Sequence, residues 1–140
     1  MLINKMKKIT GTITLFALMM IALPVLGQEQ EKPSAEKFAA EHIEFLVRNL
    51  EIDEIQVFYA DSIYQHNFFE LIEEMEALKK KGMSTNSVYE EISDKWLDAT
   101  DRALEKILTP AQWKKYLKTS FGKEKAKRDK RMAKRAESGK

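Results

Sequence analysis

The chain of 140 residues contains no cysteine. That excludes a disulfide, a cysteine-based metal site, a thiol nucleophile and a lipidated cysteine. Histidine occurs twice, at His42 and His66, without the local spacing of a metal-binding helix such as H-E-x-x-H. Glycine is scarce, and no glycine-rich loop is present to cradle a phosphate. The three prolines stand at 24, 33 and 110, and no stretch alternates apolar and polar residues as a strand would. An enzyme is not expected: no catalytic, cofactor-binding or metal-ligating set emerges. A scattered acidic helix face reads as a solvated one. Met75, Met83 and Met132 are too few beyond residue 27 for a thioether copper site.

What is present begins with a leader. Lys5, Lys7 and Lys8 precede an uncharged apolar run at 13–26, and Val25 and Gly27 supply small residues for a cut before Gln28. The run is shorter than the roughly 20 residues of a membrane-spanning helix. Residues 1–27 are therefore expected to be a secretory signal peptide, with Met1 or Met6 as the start, and the mature chain to be periplasmic. Residues 28–33 read as a flexible lead-in, 34–122 as one helical domain, and 123–140 as a basic tail, helical or disordered. The charge is divided: residues 28–111 carry 9 basic and 19 acidic side chains, residues 112–140 carry 12 and 3.

The periodicity predicts an all-α fold of about four helices. Ser34 caps the first, which runs to about Leu50. The second opens at Asp53 and ends near Lys81, where Gly82 suits a left-handed stop. Ser87 with Glu90 reads as a capping box for a third helix over 88–107. A fourth starts at Thr109 and can continue into the tail. On the third helix, Ile92, Trp96 and Leu104 share an apolar face, while Glu90, Glu91, Asp94, Asp98, Asp101 and Glu105 form a back expected to meet water. Glu91–Lys95 and Asp98–Arg102 have favourable i,i+4 spacing.

Two short stretches are written alike, Ile52-Asp53-Glu54-Ile55-Gln56 and Leu108-Thr109-Pro110-Ala111-Gln112. In each, the second residue caps a helix and the glutamine three residues on reaches back to the cap. Pro110 adds a preset φ at the first helical position. Ile52 with Val57, and Leu108 with Trp113, complete hydrophobic staples. Each motif is expected to place a corner between helices.

These residues resemble the LTxxQ motif that names the Spy/CpxP family, over about 38–122. The resemblance implies a bent antiparallel helical hairpin that dimerises, with nucleotide-independent binding of unfolded or misfolded envelope proteins. The alternative it implies is an envelope-stress regulator or metal-responsive protein acting on one partner. The strongly basic cradle of the chaperones is not evident in residues 28–111. Residues 55–69 are apolar almost all round. Either the first and fourth helices bury them, or they form a subunit interface or an exposed client surface. Phe58, Tyr59, Ile63, Phe69 and Trp113 are the expected client or dimer surface. His42 and His66 would share a zinc ion only if helices one and two folded together. Nucleic acid is not an expected partner. Weak electrostatic contact with anionic surfaces through 123–140 is an expectation, as is packing of that tail on an acidic body.

Overall fold

The computed structural model describes residues 34–83 and 85–139, so the leader and the lead-in expected before residue 34 lie outside the described residues. The described chain is all-helical: α1 (Ala35–Leu50), α2 (Glu54–Lys80), α3 (Asn86–Ile107), α4 (Pro110–Lys118) and α5 (Ser120–Ser138).

Local chemistry accounts for each boundary. Ser34 accepts from the Lys37 amide at the start of α1. At its end Glu51 adopts a left-handed conformation, with φ of 54°. That conformation is unfavourable for a residue with a Cβ. Here it turns the chain so that Leu50 and Ile52, on either side, both enter the core. α2 ends in a Schellman motif. Gly82 takes φ of 70°, its N–H donates to Lys79 O at 3.1 Å, and the Met83 N–H reaches Leu78 O at 3.0 Å.

The third helix begins two residues earlier than the spacing predicts. Thr85 accepts from the Val88 amide and is the N-cap, which places Asn86 and Ser87 inside α3. The expected Ser87 box does not form: Ser87 lies within the first turn and not at the cap, and Glu90 accepts from Arg135. The helix begun at Pro110 does not run on through the tail either. Thr119 ends α4 and caps α5: its hydroxyl donates to Tyr116 O at 2.6 Å and accepts from the Gly122 amide at 3.3 Å. A Cβ at Gly122 would collide with the backbone of Leu117. This corner therefore requires glycine, and α5 begins three residues inside the domain boundary expected at 122.

Ala39, Leu46 and Leu50 of α1 pack with Ala60 and Tyr64 of α2, Leu104 of α3 and Tyr116 of α4. Ile52 and Leu108, the residues before the two caps, lie in the same cluster. Phe38 stacks on Phe68 with ring centroids 3.9 Å apart, and Phe121 meets Phe45 edge-on. α2 and α3 run antiparallel, as the order of their side-chain ties shows: Gln56 with Ile107, Asn67 with Thr100, Glu74 with Lys95. Towards Lys80 the buried apolar side chains of the pair are Leu71 and Ile92, and Glu74 ties the two helices through Lys95 and Trp96.

Candidate functional site: a glutamine clasp, an ionic seam and an apolar stripe

The two similarly written corners meet. Asp53 and Thr109 cap α2 and α4, and both capping boxes are complete. Each glutamine accepts from its own cap residue through its amide oxygen, at 3.0 Å from Asp53 N and 2.9 Å from Thr109 N. Each then uses its amide nitrogen across the junction. Gln56 Nε2 donates to Gln112 Oε1 at 2.6 Å, and Gln112 Nε2 donates to Gln56 Oε1 at 3.1 Å. Gln56 Nε2 also reaches Ile107 O at 3.0 Å, and Gln112 Nε2 reaches Leu50 O at 3.4 Å. These carbonyls end α3 and α1, where a helix leaves acceptors unpaired. Each corner thus caps the incoming helix of the other. Position alone showed the capping roles of Asp53, Gln56, Thr109, Pro110 and Gln112. The pairing across 56 residues needed the fold, although the repeat spacing was its trace.

The acidic back of α3 does not face water throughout, contrary to the sequence reading. Asp94 and Asp101 are only 2% and 4% exposed. Asp101 accepts from the Tyr116 hydroxyl at 2.6 Å and pairs with buried Arg128 of α5. Arg131 and Arg135 both donate to Asp94, at 2.8 and 2.6 Å, and Arg135 also reaches Glu90 at 2.9 Å. Burial alone would raise the Asp94 carboxyl. Hydrogen bonds and positive charge from the two arginines outweigh it and hold its pKa below the ordinary value. Burial pushes the Arg128 guanidinium down and the Tyr116 hydroxyl up. The basic tail is therefore built into the fold along an ionic seam. Lys95 likewise departs from its expected partner Glu91: it pairs with Glu74 of α2 at 2.8 Å. Glu74 also accepts from Trp96 Nε1 at 2.7 Å. The Asp98–Arg102 pair forms at 2.7 Å.

Compared with known proteins, the chain matches no family model, no curated protein and no solved structure.

The histidines occupy different environments. His42 is packed against Phe38, Tyr64 and Phe121. Its Nδ1 lies 2.8 Å from Phe38 O, so that nitrogen donates to the backbone. Burial lowers its pKa, against the Phe38 carbonyl and the Glu41 charge. His66 is exposed on α2, edge-on to Trp96. Among the described residues no cluster of three or more histidines and carboxylates is arranged to hold a metal ion.

The five residues expected to form a client or dimer surface divide. Ile63 and Trp113 pack, partly buried, against the core. Phe58, Tyr59 and Phe69 remain 69%, 52% and 53% exposed, and Ile55, which the sequence reading did not single out, is 69% exposed. At about 100° per residue these four share one face of α2 with exposed Ser62 and His66. The outward stripe from Ile55 to Phe69 thus carries no carboxylate, lysine or arginine; the next exposed position on it is Glu73. Phe58 and Tyr59 also meet edge-to-face, 5.6 Å between centroids. Contiguous exposed apolar groups, unlike scattered single side chains, mark interaction sites.

Proposed function

We propose that this chain is a periplasmic, nucleotide-independent holding protein of Spy/CpxP type, built on a bent antiparallel helical hairpin and working as a homodimer. Its clients are unfolded or misfolded envelope proteins. One observation carries the reading: the uncharged stripe of Ile55, Phe58, Tyr59 and Phe69 along the outer face of α2. Such a stripe takes apolar segments of any sequence. A large apolar side chain contributes about 1.5–3 kcal/mol on full burial. These four are already partly covered, and association has its own cost. The sum favours weak, reversible capture, which suits a protein that must release its client. The interlocked corners support the family reading, since they give the two LTxxQ-like motifs one shared role.

The test is light scattering of a chemically unfolded client, diluted into buffer with the protein or with a Phe58→Ser/Tyr59→Ser/Phe69→Ser variant. The protein should suppress aggregation at near-stoichiometric ratios without nucleotide. The variant should lose most of that suppression while its helicity by circular dichroism stays unchanged. Absence of suppression by the parent at several-fold excess refutes holding. Equal suppression by the variant removes it from α2.

A further inference from the structure

α5 sorts its cations by type. Its three arginines, Arg128, Arg131 and Arg135, all turn towards α3 and are spent on Asp101, Asp94 and Glu90. Guanidinium is suited to that task, because its planar fork satisfies buried carboxylates with several directed bonds. Lys123, Lys127, Lys130 and Lys134 are all exposed. Helical spacing places these four within a sector of about 60°, over about 16 Å of helix. Among the described residues the one ion pair any of them makes is Lys127 with Glu124 at 2.9 Å, both well exposed. The ionic seam therefore does more than dock the helix. It prevents the lysine row from folding onto the acidic body and presents it to solvent.

We propose that this lysine row is an adsorption surface for anionic lipid bilayers. The row has no aromatic side chain on which a base could stack, as single-stranded nucleic acid requires. It has no tryptophan, tyrosine or free arginine to anchor a protein partner. It also has no apolar stripe to enter the hydrocarbon. Compact ammonium groups in a straight line, free of directional demands, match a plane of diffuse negative charge. The partner is a membrane surface contacted at headgroup level. The lysine row lies on a different helix from the apolar stripe, and adsorption through it does not require holding activity.

The experiment is co-sedimentation of the full chain with vesicles of phosphatidylcholine alone or with about a third phosphatidylglycerol, at low salt and at about 0.5 M salt. A K123Q/K127Q/K130Q/K134Q variant, which leaves the arginines in place, is run beside it. Each lysine near an anionic surface contributes about fivefold in binding. The parent should bind the anionic vesicles at low salt only, and the variant at least tenfold more weakly with unchanged helicity. Binding that persists on neutral vesicles or at high salt, equally in both proteins, overturns the proposal. Tighter binding to single-stranded DNA than to the vesicles overturns it in favour of a nucleic-acid surface.

Discussion

Replacing Gln112 with alanine tests whether the two corners form one energetic unit. The side chain accepts from Thr109 N and Gln56 Nε2 and donates to Gln56 Oε1, with a longer contact to Leu50 O. At a net value of about 0.5–1.5 kcal/mol for each of the three shorter bonds, the loss is about 1.5–4.5 kcal/mol. Gln56→Ala should cost a similar amount, since Gln56 is bonded to Asp53 N, Gln112 and Ile107 O. The two bonds between the glutamines are counted in both single variants. The double variant should therefore cost less than the sum by about 1–3 kcal/mol. Gln112→Glu adds a sharper comparison. Glutamate can still complete the capping box at Thr109, but it has no N–H for Gln56 or Leu50. Urea unfolding followed by far-UV circular dichroism gives the stabilities of the parent and the four variants. Additivity within about 0.5 kcal/mol, or a Gln112→Glu protein as stable as the parent, would refute the clasp and leave two independent caps.

Two further outcomes follow from the buried groups. Burial lowers the His42 pKa below its ordinary 6.5, so below that pH the unfolded chain binds more protons than the folded one. Stability should fall as pH drops from about 6.5 through the lower folded value, and a His42→Leu variant should show a flatter profile in denaturant titrations. At the seam, Asp101→Ala strands Arg128 without its buried partner and should cost about 3–5 kcal/mol, whereas Asp101→Leu with Arg128→Met should cost clearly less; a double variant as unstable as the single one would refute the ionic assignment.

What was legible in the chain was whatever its neighbours within one helical turn decide. Asp53, Thr109 and Pro110 show their roles because a cap needs only the next three residues. The box expected from Ser87 and Glu90 misleads, because Thr85, two residues earlier, also carries a capping hydroxyl and takes that role. Only Arg135, 45 residues away, settles where Glu90 goes. The acidic back of α3 misled for the same reason. A carboxylate opposite an apolar face reads as solvated until another helix lies across it. A signal did exist in the tail, where arginines at 128, 131 and 135 share one face and lysines another. Ile63 and Trp113 differ from Phe58 and Phe69 in what packs on them, and composition cannot distinguish that.

The ionic seam also constrains the order in which the protein is completed. Asp101 and Asp94 find their partners 27 and 41 residues further along the chain. A chain that emerges N-terminus first exposes both carboxylates before those partners arrive. Through that interval α3 can pack its apolar face on α2 while both carboxylates stay hydrated on the open side. Closing the seam is then a late step, in which water is exchanged for arginine. The growing chain holds its place for α5 with charge that water tolerates until the helix arrives.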